Sequence, residues 1–319
     1  LTGGRQRTRG EFILNNRQLK LLPTLLSYTV SYQSAVSVLG APAEYYQWGA
    51  PYWLAGDFAL ALGMIAFERL ALPTFYHLGV MSIYEYFQKR YGNGIVKRLI
   101  SFLSITKATL YMSVTVLGPS IALETMTGLP LEAACFIMAG VCALYTSLGG
   151  IRAVIWTDVL QCMVMVSGLL AIFISATHEA GGIAEVMQVG KHYERLNYVQ
   201  MAPSFYQRIT FINIFLTFAP LGYMVYGMDQ AAYQRYAALP SLSRSRLVLW
   251  LMVPCHLLYT TLCYMVGASV FAYFAASGCD PLQTGEITKA NQLLPYFVST
   301  YFDNKPGGKG LFLAVLYGA

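Results

Sequence analysis

Apolar stretches of about 20 residues recur along nearly the whole chain, and a bilayer core of about 30 Å demands helices of that length. A soluble fold would need a core far larger than a chain of this size builds. Composition agrees: hydrophobic residues make up 56% of the 319 residues and charged residues 11%, against about 25% charged in ordinary soluble domains. The sequence predicts spans at about 21–40, 52–72, 99–123, 131–148, 153–177, 209–228 and 247–276, with a last one opening near 310.

The net charge of +6 does not point to nucleic acid, because Lys and Arg sit mainly in the connections between spans. One set of connections holds Arg5, Arg7, Arg9, Arg17 and Lys20, then Lys89, Arg90, Lys97 and Arg98, then Arg152, then Arg235, Arg244 and Arg246. The opposite connections at 41–51 and 124–130 carry no Lys or Arg. The positive-inside rule makes the first set cytosolic. Residues 1–20 then form a cytosolic segment, and 178–207 and 278–308 are extracellular. No cleavable signal peptide opens the chain, and its basic start reads as a cytosolic connection with an upstream part missing. Of the six Cys, Cys135, Cys142, Cys162, Cys255 and Cys263 read as small buried apolar residues and Cys279 lies just past a span. None has metal or disulfide spacing.

The first span runs Leu25-Leu26-Ser27-Tyr28-Thr29-Val30-Ser31-Tyr32-Gln33-Ser34-Ala35-Val36-Ser37-Val38-Leu39-Gly40, with hydroxylated and small residues in its middle. Composition favours helix–helix packing through small residues. The alternative is a broken helix whose freed carbonyls and hydroxyls coordinate an ion and a substrate. Ionisable residues inside spans are expensive in hydrocarbon and therefore informative. Asp57 lies early in the second span and is either functional or interfacial. Asp158 opens the fifth span and is either functional or a helix N-terminal cap. Lys107 and Tyr111 share a helix face, lining the interior or placing Lys107 against a neighbouring acid. Glu68 and Arg69 are expected to snorkel. His256 has no second His or acidic neighbour at ligand spacing, which favours packing. Gly149-Gly150 and Gly181-Gly182 read as turns, and no catalytic triad, paired carboxylates or phosphate-binding loop stands out.

The run Tyr145-Thr146-Ser147-Leu148-Gly149-Gly150-Ile151-Arg152-Ala153-Val154-Ile155-Trp156-Thr157-Asp158-Val159-Leu160-Gln161 resembles the signature of the sodium/solute symporter family, solute carrier family 5. Ser34 to Tyr45, and Tyr226-Gly227-Met228-Asp229-Gln230 with Gln234-Arg235-Tyr236, agree in order and spacing. The first span and the outer segment Asp280-Pro281 with Asn291 to Tyr296 are closer to the monocarboxylate, multivitamin and iodide branch than to the sugar carriers. Sugar carriers place Asn and then His where this chain has Tyr32 and Ser37.

The resemblance implies an all-α transmembrane protein of the inverted-repeat, LeuT-like symporter fold, multi-pass in the plasma membrane, working by alternating access. By that likeness 21–177 is the first five-helix repeat, 178–208 an extracellular segment, and 209–319 the start of the second repeat. The backbone carbonyls of Val30 and Gln33 are then expected to contribute to the principal Na⁺ site. Ser34 and Tyr111 match ion-binding positions of the iodide branch, and Asp158 matches an acidic residue tied to cation coupling. Tyr32, Ser37 and Tyr226 match substrate-pocket positions, and Asp57 falls near one. The family's Ser/Thr hydroxyls that complete the principal Na⁺ site would follow Ala319, so a truncated second repeat is expected.

The implied function is symport of a small organic anion with Na⁺ across the lipid bilayer, with no cofactor, no covalent step and no nucleic-acid partner. A membrane sensor or scaffold that binds solute without transport, or a nonfunctional truncated product, remains the alternative. No catalytic constellation favours an enzyme.

Overall fold

A computed structural model describes residues 8–50, 53–196, 206–303 and 307–318. Arg5, Arg7, parts of the two long connections (197–205 and 304–306) and Ala319 lie outside the described residues, as do the side chains of Arg9 and Tyr145. The helices are α1 (Arg9–Leu14), α2 (Leu21–Val30), α3 (Ala35–Trp48), α4 (Trp53–Leu70), α5 (Leu72–Leu78), α6 (Glu85–Tyr91), α7 (Gly94–Thr127), α8 (Leu131–Glu179), α9 (Ile183–His192), α10 (Phe211–Met224), α11 (Gln230–Ala237), α12 (Leu242–Ser277), α13 (Leu293–Tyr301) and α14 (Gly308–Gly318). Among the described residues there is no β-strand.

Among the described residues three helical stretches are long and apolar enough to cross a membrane: Gly94–Glu124, Thr146–Glu179 and Leu242–Ser277. A fourth is the pair α4 and α5, bent by 48°. Four shorter apolar helices, Leu21–Val30, Leu131–Leu144, Phe211–Met224 and Gly308–Gly318, occupy the other expected spans.

The breaks have local causes. The expected spans 131–148 and 153–177 meet at Gly150, whose φ of 55° and ψ of −162° interrupt α8, a conformation that glycine reaches without a Cβ penalty. The first span is not one helix. α2 stops at Val30 and α3 starts at Ala35, so the helix is broken in its middle. Likewise the expected span 209–228 ends early: α10 stops at Met224, and the chain turns before Asp229 caps α11 by accepting from the Ala231 N–H at 3.0 Å.

The chain forms two compact units. The first comprises Leu1–Tyr32, Phe58–Leu160 and Thr217–Pro254, and the second Gln33–Asp57, Gln161–Leu216 and Cys255–Ala319. In the first, α4 and α10 touch backbone to backbone. A Cβ on Gly63 would lie 1.9 Å from the Ala219 carbonyl oxygen, and one on Gly222 would lie 2.2 Å from that of Leu60. Such small-residue contacts are how membrane helices gain packing energy where lipid supplies no hydrophobic contrast. Tyr28, Phe67, Leu72, Tyr233 and Tyr236 are buried in this unit. The Tyr76 hydroxyl donates to the Leu239 carbonyl at 3.0 Å, and the Gln230 side-chain oxygen accepts from Ser82 and from the Ile83 N–H.

In the second unit α3 packs against residues 290–292, α13 and α14. A Cβ on Gly267 would lie 2.7 Å from the Pro42 Cα, which brings α12 hard against α3. Gly168 of α8 takes the side chain of Val315 from α14 in the same way. Thr177 and Ser269 share a hydrogen bond of 2.8 Å. Between α12 and α14 the Glu286 carboxylate accepts the Tyr296 hydroxyl, a bond that holds this phenol up at about 12.

Three expectations need correction. Glu68 does not snorkel: it is buried, with Arg246 Nε at 2.9 Å and Arg69 Nε at 3.0 Å from its carboxylate, while the Arg69 side chain is exposed. Arg235 is not a surface cation of a connection but a buried residue of α11. Of the cysteines within spans only Cys263 is buried; Cys135, Cys162 and Cys255 are half-buried and Cys142 is exposed. Apolar residues on a membrane helix need not face protein, since lipid serves as well. The exposed Leu99, Phe102, Leu103, Leu110 and Leu117 of α7 show the same rule.

Candidate functional site

The two breaks gather the polar chemistry. At the end of α2 the Ser31 N–H and hydroxyl both bond the Ser27 carbonyl, at 3.0 and 2.7 Å. At the start of α3 the Ser37 hydroxyl donates to the Ser34 carbonyl at 2.7 Å and accepts from the Ser34 N–H at 3.0 Å. Helix ends leave backbone groups without partners, and these serines supply them. Val30, the last residue of α2, is buried, and the final carbonyls of a helix point past its end. That suits the expected cation contact of Val30. For Ser37 the hydroxyl is engaged in the cap.

Within the first unit three aromatic rings meet. The Tyr32 ring centroid lies 4.5 Å from that of Tyr226 and 5.6 Å from that of Tyr28, and the Tyr28 hydroxyl donates to the Tyr226 carbonyl. Residue 32 belongs to the first break and residue 226 to the second, so the structure brings together two of the four expected substrate residues. The Tyr32 hydroxyl is buried and has no partner among the described residues. An unsatisfied buried hydroxyl costs about 1–3 kcal/mol, and in a pocket a ligand can repay that cost.

Beside them, Asp158 of α8 lies in a second cluster. Its Oδ2 accepts from Ser27 Oγ at 2.5 Å, from Ser31 Oγ at 3.2 Å and from Arg235 Nη2 at 3.0 Å. Arg235 also donates from Nε to Ser27 Oγ at 2.9 Å, from Nη2 to Ser31 Oγ, and from Nη1 to the Ala231 carbonyl. The cluster ties α2, α8 and α11 together. Asp158 therefore does more than cap a helix: it is half of a buried ion pair with both side chains at or below 10% exposure. Lys107 pairs with Asp229 at 2.6 Å, so of its two readings the neighbouring acid holds. Tyr111 is 55% exposed on α7, and no described contact brings it to Val30 or Asp158.

The second unit holds a network that sequence spacing hides. Gln33 Nε2 lies 2.7 Å from His256 Nδ1, His256 Nε2 lies 3.3 Å from Asp57 Oδ1, and Thr260 Oγ1 donates to Asp57 Oδ2 at 2.5 Å. Gln33 and His256 are buried, at 3% and 7% exposure. Asp57 is thus not merely interfacial. His256, expected to be a packing residue, joins the break to α4. It has no acidic neighbour in sequence because its partners come from 199 and 223 positions away. Its one visible signal was an imidazole inside an apolar span. Gln33, expected to act through its backbone carbonyl, is engaged through its side chain.

Membrane helices interrupted at paired positions mark the fold of inverted-repeat secondary transporters. The chain belongs to the sodium:solute symporter family, whose model matches residues 12–319. It is 36% identical to mouse sodium-coupled monocarboxylate transporter 2, over 97% of this chain and 49% of that protein. It is 33% identical to the rabbit sodium-dependent multivitamin transporter and to the human sodium/iodide cotransporter, over 99% of this chain and 49% of each. The chain spans about half the length of these relatives. Its fold matches a Na⁺-coupled sialic acid symporter, solved in a substrate-bound outward-open state, with a TM-score of 0.86 and 22% identity, over 98% of this chain and 65% of that one. The chain is that of a helical, multi-pass membrane protein, and the named relatives are transporters rather than enzymes.

Proposed function

We propose that this protein carries a small organic anion, of the monocarboxylate or vitamin type, with Na⁺ across the plasma membrane by alternating access. The carrying observation is the meeting of Tyr32 and Tyr226, contributed by the two helix breaks, beside a buried hydroxyl that lacks a partner. The names of the monocarboxylate and multivitamin relatives support the anion class. The repeat division at 21–177 and 209–319 and the inside-out orientation drawn from the charge pattern belong to the same proposal.

In this reading the Val30 and Gln33 carbonyls, Ser34 and Tyr111 serve the ion, and Tyr32, Ser37, Asp57 and Tyr226 serve the substrate. Asp158 acts on coupling through its pair with Arg235 rather than as a bare ligand, because its Oδ2 already holds three donors. Na⁺ moving inward supplies about 2.3 kcal/mol per charge per 100 mV. It does work on the solute only through state-dependent contacts.

The test is uptake of labelled lactate and of a labelled vitamin carboxylate by cells expressing the full-length protein, with Na⁺ and with Na⁺ replaced by choline. Na⁺-dependent accumulation is expected. Binding without uptake at verified surface expression would support the solute sensor instead.

A further inference from the structure

Where α3 ends and α12 runs out, the second unit holds a cleft of about 220 Å³ whose residues have no place in the symport reading. Four of them are aromatic: Tyr46 from α3, Tyr193 at the end of α9, and Phe271 and Phe274 from α12. Tyr46, Phe271 and Phe274 are at or below 8% exposure and make the floor, and Tyr193, at 50%, makes the rim. The rings do not stack shut. Tyr46 and Tyr193 stand at 75° and 85° to Phe271, with centroids 5.6 and 5.5 Å from it. Rings set at right angles form the corner of a box.

Among the described residues one charged side chain lines the cleft, the carboxylate of Asp280. Its Oδ1 is spent: it accepts the Tyr46 hydroxyl, the Leu282 N–H at 2.9 Å and the Gln283 N–H at 3.4 Å. These bonds close the turn after α12 and fix the plane of the carboxylate. Among the described residues Oδ2 receives no donor and no Lys or Arg pairs with Asp280. Closing the turn uses one oxygen, so the second leaves a negative charge exposed between aromatic walls. A bare metal ion would find one carboxylate oxygen there where Ca²⁺ or Mg²⁺ takes about six ligands. An ammonium bearing methyl groups spreads its charge over a C–H surface, and ring faces attract such a surface. Arg195 shows that these rings accept a cation: its guanidinium, held by the Gln47 carbonyl, lies 5.0 Å over the Phe271 ring and leaves Asp280 unpaired.

We propose that this cleft binds an organic cation with a methylated ammonium head, the four rings enclosing the head and Asp280 Oδ2 balancing its charge. Tyr46 belongs to α3, the second half of the broken helix, and Phe271 and Phe274 belong to α12, so an occupant joins the two helices. The site depends neither on the identity of the transported solute nor on the orientation of the chain in the membrane.

The test is equilibrium binding of tritiated choline to the full-length protein in lipid nanodiscs, in potassium buffer without Na⁺. Saturable binding of one choline per chain is expected, displaced by tetramethylammonium but not by the neutral analogue in which a tert-butyl group replaces trimethylammonium. D280N keeps an oxygen for Tyr46 and the two N–H groups but loses the charge, and it should weaken binding at least about tenfold. Phe274→Leu keeps the apolar bulk and loses the ring, and it should weaken binding several-fold. Size exclusion confirms that each variant is folded. Absence of saturable binding overturns the site. Equal displacement by the neutral analogue overturns recognition of the charge. Affinity unmoved in folded D280N, or in folded F274L, places the cation elsewhere in the protein and overturns its assignment to this cleft.

Discussion

Removing either partner of the Asp158–Arg235 pair should cost far more than removing both. In D158N the guanidinium stays buried and keeps only neutral acceptors: Ser27, Ser31 and the Ala231 carbonyl. In R235Q the carboxylate keeps two hydroxyl donors and loses the cation it pairs with. Each single change leaves an uncompensated charge in a buried site, which costs about 3–5 kcal/mol. In D158N/R235Q both charges are gone, two neutral amides of similar size face each other, and the loss falls to about 1–2 kcal/mol by hydrogen-bond accounting. The sum of the singles would exceed the double by at least about 4 kcal/mol. The assay is reversible unfolding of the full-length protein in mixed micelles, with fluorescence-detected size exclusion to confirm folded starting material. A cycle additive to within about 0.5 kcal/mol would refute the claim that the two charges are buried against each other. The same D158N variant should weaken Na⁺ dependence of uptake at matched surface expression, and an unchanged Na⁺ curve would confine Asp158 to stability.

Tyr32→Phe removes a hydroxyl that has no partner among the described residues. Stability should therefore hold within about 0.5 kcal/mol while the KM for carboxylate uptake rises several-fold, and an unchanged KM would remove Tyr32 from the pocket. Gly63→Ala drives a methyl to 1.9 Å from the Ala219 carbonyl oxygen. It should cost about 1–3 kcal/mol or more by overpacking, read as a lowered melting temperature, and a wild-type melt would refute the close approach of α4 and α10. Single cysteines at positions 244 and 286 of the full-length protein should label from inside and outside the cell respectively, and the reverse pattern would invert the orientation drawn from the Lys and Arg distribution.

The spans were legible because twenty apolar residues have few destinations, and Gly149-Gly150 marked a turn because glycine alone reaches the φ and ψ found at Gly150. The interruption at 225–229 was not legible: Val225, Tyr226 and Met228 are apolar, so hydropathy runs on where the helix stops. Asp158 was visible as an acid in a span, but its partner Arg235 was hidden among the basic residues that the positive-inside rule assigns to a connection. Glu68 misled for the same reason: a charge near a span end looks free to reach the interface, and its pairs with Arg246 from α12 and with Arg69 form inside instead. His256, Asp57 and Gln33 were each in view, yet nothing in their spacing joins them, because three separate segments supply them.

The serines of the first span explain why composition leaned toward packing. A packed small-residue helix and a broken helix want the same side chains, for different reasons. Packing uses Ser as a small group that lets backbones approach, whereas a break uses it as a source of donors and acceptors for backbone that has lost its helical partners. The structure separates these uses by where each hydroxyl goes. Ser31 returns to the Ser27 carbonyl one turn back, and Ser37 closes on both backbone groups of Ser34. Two hydroxyls are thus bonded to the ends they help to create, at places where hydrocarbon offers the backbone no alternative partner. What remains at the break is what the local caps do not use: the buried Tyr32 hydroxyl and the Gln33 side chain. Capping can be satisfied by serine alone, so these two larger polar groups require another cause. A ligand for Tyr32 and the contact with His256 for Gln33 are causes that single substitutions can separate, since Tyr32→Phe should raise the KM for carboxylate uptake at unchanged stability, whereas H256Q should loosen the break and lower the melting temperature.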